Sequence, residues 1–149
     1  PGLEHAEFIR YGVMHRNSFL DSPRLLHADY ALRGGDQIYF AGQITGVEGY
    51  IESAASGILA GKNLARQLAG LQPLILPRET MMGALAAYIS DPTVENFQPM
   101  GCNMGILPDL PERIRDKKQK YQAYADRALA ALDAYLEQVA AQDRGDTEE

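Results

Sequence analysis

The sequence has a single cysteine, no apolar run long enough to span a membrane and no signal-peptide pattern at its start. One cysteine, Cys102, excludes an internal disulfide and fits a reducing compartment, so we predict a cytoplasmic protein. A transmembrane helix needs about 20 mostly apolar residues, so we predict no membrane association. The net charge of -6 gives no overall attraction to nucleic acid, although a local basic patch is compatible with it.

An initiator methionine and a metal-binding spacing are also absent. The chain opens with Pro1 and runs within a few residues into 8–14, an aromatic and β-branched stretch that is typical of a strand. That opening favours a piece of a longer protein; the alternative is a purification remnant without a leader. The spacing of His5, His15 and His27 matches no ligand pattern, and we predict no metal.

The most informative segment is 37–60, which reads as a buried strand, a glycine-punctuated turn and a helix of small residues. Ile38 to Ala41 is the predicted strand, and Thr45-x-x-Glu48 matches a capping box that would begin the helix. Apolar and small residues then recur with helical spacing until Gly70, which suits a helix end. The spacing Gly57-x-x-x-Gly61 predicts a flat helix surface that packs closely on another element.

Two further helices are expected, over 79–90 and from Pro111 to about Ala141, with Asp109 near the cap of the second. The last helix carries an apolar stripe that predicts docking against the body or a partner. The tail 142–149 is polar and acidic, and we expect it to be disordered. These elements predict an α/β chain with a cofactor-facing part at 1–76, a mainly helical part at 77–141 and the tail.

The glycine turn has a clear chemical use. Missing β-carbons allow unusual backbone angles and a close approach of a ligand. The helix N-terminus adds unpaired N–H donors and a partial positive charge, which favour an anionic or carbonyl-rich ligand. On these grounds alone, a tight strand-to-helix connection without a ligand is equally compatible with the pattern.

Five separated motifs carry a more specific resemblance. They are G-Q-I-T-G-V-E-G-Y-I-E-S-A-A-S-G at 42–57, R-Y-G-V-M-H-R-N at 10–17, P-R-E-T at 77–80, F-Q-P-M at 97–100 and I-R-D-K-K at 114–118. Together they resemble the C-terminal part of the folate- and FAD-dependent tRNA (uracil-5-)-methyltransferases, over about 2–136. The family that modifies wobble uridines with the same cofactors shares the glycine turn but is less similar in the flanking motifs.

The resemblance implies a C-terminal part of an FAD/NAD(P)-binding, Rossmann-like domain with a helical extension. It implies bound FAD, with 5,10-methylenetetrahydrofolate and NAD(P)H as co-substrates and tRNA as the acceptor. The methylene group would pass to C5 of a T-loop uridine, giving 5-methyluridine. Family members carry a G-x-G-x-x-G fingerprint and their catalytic cysteines in an N-terminal part that this sequence lacks. We therefore predict no catalytic residue here, an inactive fragment without that missing part, and a structural role for Cys102.

Site residues follow from the same resemblance. The predicted cofactor-binding residues are Gly42, Gln43, Thr45, Gly46, Val47, Glu48 and Gly49. The predicted folate or substrate contacts are Tyr50, Arg16, Asn17 and Arg78. Glu48 has a capping alternative, Tyr50 a core-packing alternative, and the arginines a surface ion-pair alternative.

A basic cluster lies at the start of the last predicted helix. It consists of Arg113, Arg115, Lys117, Lys118 and Lys120. Contact with tRNA phosphates and a solvated helix face are both compatible with it. For the whole chain, the alternatives to the methyltransferase are a fragment of the wobble-uridine enzyme and a non-catalytic helical adaptor.

Overall fold

The structure, a computed structural model, describes Glu4, His5, Glu7 and residues 18–146. In this part of the chain the α-helices are α1 (Ser22–Leu25), α2 (Tyr50–Leu68), α3 (Met81–Ser90) and α4 (Lys117–Asp146). Two 3-10 helices, Gly42–Thr45 and Met104–Ile106, lie in the connections. The three long helices confirm the helices that the sequence predicts, with different bounds. The predicted strand at 8–14 lies outside the described residues.

Residues 18–146 contain three isolated β-bridges and no strand. The predicted strand 38–41 contributes one bridge, between Tyr39 and Ala31. Extended pairing stops there because Tyr30 and Gln37 have positive φ angles of 72° and 57°, which turn the chain out of the β conformation on both sides. The described part of the chain is therefore helical, and the predicted α/β class is not confirmed.

Helix α2 begins after Gly49, its N-cap, so the predicted capping box of Thr45 and Glu48 is wrong. Thr45 belongs to the preceding 3-10 helix, and its hydroxyl donates to the carbonyl of Gly42 at 2.7 Å. Left-handed φ angles at Gly46 and Gly49, 82° and 97°, turn the chain between the two helices. The hydroxyl of Thr45 is consequently committed to its own turn and does not cap α2.

The inward face of α2 is polar and small. Its buried side chains are Ser56, Ala60 and Asn63. The carboxamide of Asn63 donates to the carbonyls of Asp29 and Leu74 at 3.1 and 3.0 Å and accepts from the amide of Leu74 at 2.7 Å. A buried amide group must be fully hydrogen-bonded to be tolerated, and here it fastens the helix to two other segments.

The apolar stripe of α2 lies on the opposite side of the helix and is exposed. It comprises Tyr50, Ile51, Ala54, Gly57, Ile58, Gly61, Ala65 and Leu68. We call these eight residues the outer face of α2; at 100° per residue they cover about a third of the circumference. A β-carbon at Gly57 or Gly61 would meet no atom within 4 Å. The close packing predicted for this pair is therefore absent among the described residues.

Helix α3 lies at the centre of the molecule. The hydroxyl of Thr80 caps it by accepting from the amide of Gly83 at 3.0 Å, and a β-carbon at Gly83 would collide with the Pro77 carbonyl. The larger hydrophobic core contains Tyr30, Val47, Ala60, Leu85, Ala86, Ile89 and Phe97. These residues come from both sides of the boundary predicted at 76/77, so the two predicted parts share this core.

Helix α4 begins later than the predicted start at Pro111. The carboxylate of Asp116 accepts from the amide of Gln119 at 2.8 Å and caps the first turn, so the predicted cap at Asp109 is wrong. The carbonyl of Asp109 instead accepts from the guanidinium of Arg127 at 2.8 Å. The residues before Asp116 thus form a loop that lies against the side of the helix they were expected to begin.

Helix α4 also continues beyond its predicted end. It runs to Asp146, so the first five residues of the tail predicted to be disordered from Gln142 are helical. The guanidinium of Arg66 donates to both carboxylate oxygens of Asp143, at 2.8 and 2.6 Å. This two-pronged contact fixes the last turns of α4 to the last turn of α2.

The contact between α4 and the body uses only part of its predicted docking stripe. Tyr135 of that stripe accepts through its hydroxyl from the amide of Ile75 at 2.9 Å, whereas Tyr124, which is buried with Ala84 and Leu107, lies outside the predicted stripe. Three other members of the stripe are exposed: Tyr121, Leu129 and Leu136. No helix in the described residues is both long and apolar enough to cross a bilayer.

Candidate functional site

The glycine turn between the 3-10 helix and α2 has an unusual backbone. Gly42, Gly46 and Gly49 all have left-handed φ angles, between 74° and 97°. Side chains with a β-carbon adopt such angles only at a steric cost, so the glycines are required by the path of the chain. That path leads the chain from the 3-10 helix directly into the start of α2.

Hydrogen bonds hold this turn in place. The amide of Gly42 donates to the hydroxyl of Ser56 at 2.8 Å, and that hydroxyl donates to the carbonyl of Ser53 at 2.8 Å. Met100 also pairs with the turn. Its amide donates to the carbonyl of Gly46, and its carbonyl accepts from the amide of Glu48, both at 3.0 Å. The two serines were not predicted as site residues. Their spacing of three on the helix that follows the turn was the available signal.

The predicted cofactor residues divide into two sets. Thr45, Gly46 and Val47 are buried, and a β-carbon at Gly46 would collide with the ring of Phe97. These three therefore hold the turn against the core and do not offer side chains to a ligand. Gly42 is half-buried and occupied with Ser56.

The second set lines a surface groove of about 290 Å³. The groove residues are Gln43, Glu48, Gly49, Tyr50 and Ser53. We call it the turn groove. Tyr50 is 97% exposed, so the core-packing alternative for this residue does not hold among the described residues. The geometry brings together four of the predicted site residues, namely Gln43, Glu48, Gly49 and Tyr50.

The first amides of α2 lie beside this groove and have no cap among the described residues. The N–H groups of Gly49, Tyr50, Ile51 and Glu52 have no acceptor among the described residues, and no side chain caps the helix. The first bonded amide is that of Ser53, which donates to the carbonyl of Gly49 at 2.9 Å. Because the first turn of a helix concentrates such donors and a partial positive charge, carbonyl oxygens of a ligand would be stabilised here.

A carboxylate that the sequence analysis missed limits which ligand fits. The side chain of Glu52 lies beside Gly49, where a β-carbon would collide with it, and a β-carbon at Gly101 would lie 3.5 Å from its Oε1. Glu48 lines the turn groove, so one carboxylate lies in the groove and that of Glu52 lies next to it, beside Gly49. Two negative side chains oppose a phosphate group, so the groove suits a neutral ring with polarised carbonyl groups better than a pyrophosphate.

Cys102 lies close to the same region. Burial and the nearby charge of Glu52 raise the pKa of its thiol, which donates to the sulfur of Met82 at 3.9 Å. A thiol is nucleophilic only as thiolate, so a raised pKa disfavours catalysis. The geometry thus agrees with the structural role predicted for this residue.

The remaining predicted contacts are not brought to the groove. Arg16 and Asn17 lie outside the described residues. Arg78 is exposed in the segment before α3 and does not line the turn groove. The described residues hold no group of three or more potential metal ligands. Three other surface grooves among the described residues are larger, two of about 590 Å³ and one of about 340 Å³, but none of them lies at the amides that begin α2.

Comparison with known proteins gives a family profile that matches the first 72 residues of the chain. Residues 1–72 match the sequence profile of the family described as "Glucose inhibited division protein A". That matched region contains the glycine turn and the whole of α2.

A narrower group is similar over nearly the whole chain. The methylenetetrahydrofolate–tRNA-(uracil-5-)-methyltransferase of Enterococcus faecalis is 60% identical over 129 residues, which is 87% of this chain and 30% of that protein. The proteins of the same name from Lactiplantibacillus plantarum and Staphylococcus epidermidis are 55% and 57% identical over 93% and 91% of this chain. The chain belongs to this family, and the resemblance predicted from the motifs is confirmed. It spans about three tenths of the length of these relatives.

Proposed function

We propose that the chain is the C-terminal, flavin-contacting part of a tRNA (uracil-5-)-methyltransferase that uses FAD and methylenetetrahydrofolate. The observation that carries the proposal is the identity of 55–60% over about nine tenths of the chain to proteins of that name. The reaction is the transfer of the folate methylene group to C5 of a T-loop uridine, completed to a methyl group. Bound FAD, once reduced, would supply the two electrons for that completion, and NAD(P)H is the proposed reductant that returns the oxidised flavin to its reduced form.

The residues of the turn groove fit the ring of a flavin. The amides of Gly49, Tyr50 and Ile51 would hold its carbonyl-rich edge, and the exposed ring of Tyr50 would border it or the pterin of the folate. The carboxamide of Gln43 offers both a donor and an acceptor at the groove wall. Thr45, Gly46 and Val47 act through the backbone, by keeping these groups at one place.

The negative charges at the turn groove favour the ring of the cofactor over its phosphates. Glu48 and Glu52 disfavour phosphates at the groove, and the chain has no G-x-G-x-x-G sequence. We infer that the phosphates are held by the N-terminal part of a longer protein. Arg16, Asn17 and Arg78 are the proposed contacts for the folate tail or for tRNA, since guanidinium groups pair well with carboxylates and phosphates.

The outer face of α2 supports the proposed longer protein. Eight apolar or small residues in one stripe form a surface that a folded protein normally covers. The relatives are more than three times as long as the matched segment, so polypeptide of that length is the proposed cover. With it, 1–76 would complete an α/β, Rossmann-like FAD-binding domain, while 77–141 would form its helical extension.

The experiment is a deletion of the gene together with purification of the full-length protein. We expect the purified protein to show flavin absorbance, and tRNA from the deletion strain to lack 5-methyluridine. Loss of a wobble-uridine modification with normal 5-methyluridine would favour the related wobble-uridine enzyme. A colourless protein and unchanged tRNA nucleosides would favour a non-catalytic adaptor and overturn the proposal.

A further inference from the structure

The start of α4 carries a concentration of positive charge. Five cations stand at 113, 115, 117, 118 and 120, and all five are exposed. Residues 113–120 have a net charge of +4 in a chain whose net charge is -6. We call these five residues the basic patch. Its sign is opposite to that of the molecule, so its field is local and directed to one surface.

The cations of the patch are not neutralised by neighbouring carboxylates. Among the described residues none of them forms an ion pair within 4 Å. The nearest acidic residues in the chain are Glu112 and Asp116, and Asp116 is engaged in capping the helix. An anion approaching this surface therefore meets cations without an ion-pair partner among the described residues, and one carboxylate, that of Asp116, lines the same groove as Lys117 and Lys118.

An exposed aromatic ring accompanies the charges, which the sequence did not reveal. Tyr121 is 43% exposed, and the ammonium group of Lys117 lies 5.6 Å from the centre of its ring. With Lys118 and Gln122 they line a surface groove of about 590 Å³. Tyr121 belongs to the predicted docking stripe of the last helix, but the structure leaves its ring accessible.

The patch also borders a second groove. Arg113 and Lys120 line it together with Asp109, Glu112 and the buried Tyr124, and its volume is about 340 Å³. The ammonium of Lys120 and the guanidinium of Arg127 lie 5.9 and 5.1 Å from the Tyr124 ring. This ring packs in the core and orients the cations, while Tyr121 remains available to a ligand.

One connecting segment links the patch to the turn groove. Met100 pairs with the glycine turn, and Leu107 packs on Tyr124 at the patch. The seven residue steps from Met100 to Leu107 span at most about 25 Å, which limits the distance between these two contact points. A single folded RNA is large enough to contact both places, since double-stranded RNA modules alone cover about 16 base pairs.

We propose that the basic patch and Tyr121 form an RNA-contact surface, in which the cations bind backbone phosphates and a base stacks on the Tyr121 ring. Unpaired cations beside an accessible aromatic ring are the combination that single-stranded or looped RNA uses. An acidic protein partner would use the charges but would give no reason for the open ring. The inference rests on the proposed function, because it assigns the surface to the tRNA substrate.

The test compares tRNA binding by the full-length protein with and without two of the charges. Lys117→Gln together with Lys118→Gln should weaken tRNA binding at least five-fold at about 100 mM salt. The slope of log affinity against log salt should fall by about 0.7–0.9 for each phosphate that the variant no longer neutralises. Arg144→Gln, which removes the same charge from the far end of α4, is the matched control and should change affinity less than two-fold.

The ring is tested separately. Tyr121→Ala should weaken binding at least five-fold with an unchanged salt slope, whereas Tyr121→Phe should bind within two-fold of the wild type, because stacking needs the ring and not the hydroxyl. Equal flavin absorbance per protein in all variants serves as the check on folding.

The outcomes separate the two proposals. Wild-type protein that binds and methylates tRNA, with affinity and salt slope unchanged in the lysine double variant, overturns the contact surface alone. Wild-type protein without affinity for tRNA overturns the proposed function together with it. Weakened binding with the expected slope and with retained flavin supports the surface.

Discussion

Helices α2 and α3 contact each other but differ in whether their apolar residues are buried. In α3, Leu85, Ala86 and Ile89 are buried, as their helical spacing predicts. In α2 the buried residues include Ser56 and Asn63, while the apolar stripe is exposed. The same periodicity therefore predicts which face of a helix is apolar, but not which polypeptide covers that face.

The buried core around α3 therefore differs from the exposed outer face of α2, which we propose is one side of an interface. The core around α3 needs nothing beyond the described residues, since its side chains already contact one another. The outer face of α2 gains nothing from burial until other polypeptide packs on it. Substitutions in the two helices should therefore behave differently in the 149-residue chain and in the full-length protein.

The largest effect is expected from two charges on the outer face of α2. Ile51→Lys with Ile58→Lys in the full-length protein should reduce stability by about 4 kcal/mol or more, because unpaired charges would be buried. Denaturant unfolding and flavin content measure this. In the 149-residue chain alone the same variant should aggregate less. Lys62→Gln is the control on the same helix, and an unaffected full-length double variant would contradict an interface at this face.

A truncation in the finished core should cost nearly as much, but in both forms of the protein. Leu85→Ala removes a fully buried side chain of the larger core. Such truncations cost about 2–5 kcal/mol through reduced burial and the cavity left behind. Thermal unfolding of both forms measures it. If Leu85→Ala destabilised only the full-length protein, it would behave like a substitution in the outer face of α2, and the expected difference between the two helices would be contradicted.

The polar inward face of α2 gives an intermediate effect. Asn63→Ala should destabilise by about 2 kcal/mol, because the amide and carbonyl of Leu74 and the carbonyl of Asp29 lose their partner. Lys62→Ala, at an exposed position of the same helix, is the comparison for unfolding experiments. Equal stability of the two variants would show that the three bonds contribute nothing net.

The smallest effect concerns the contact between the ends of α2 and α4. Hydrogen bonding by Arg66 lowers the pKa of Asp143 below its ordinary value. A lowered folded-state pKa stabilises the fold above the unfolded pKa of about 3.9, and this contribution is lost as pH falls through the lowered value. Asp143→Asn should therefore be slightly less stable at pH 7 and show less change in stability below pH 4. Parallel acid-unfolding curves for the variant and the wild type would contradict this contribution.

Much of the helical content could be predicted from the sequence. Helix α3 was predictable because Thr80 caps it and Asp91-Pro92 ends it, and both signals are local. The start of α2 could not be predicted from local signals. Thr45-x-x-Glu48 has the sequence of a capping box, but three glycines with left-handed φ angles form a turn at this place, and the helix begins later. The start of α4 was displaced for a similar reason, since the cap at Asp116 competes with an equally plausible pattern at Asp109.

For the candidate site, the glycine spacing located the turn but not the orientation of its side chains. Gly46 packs on Phe97, 51 residues away in the sequence, and no local pattern indicates that contact. Tyr50 was assigned to a helical apolar stripe, and the stripe is real but faces outward. Side-chain direction depends on long-range packing, and for the outer face of α2 we propose that this packing involves polypeptide beyond the described residues.

The shielded sulfur of Cys102 has a practical consequence for work on the full-length protein. It is the only thiol in these 149 residues, and its raised pKa keeps it protonated and slow to react with alkylating reagents near neutral pH. Any rapid labelling of the full-length protein by iodoacetamide would therefore indicate a cysteine other than Cys102.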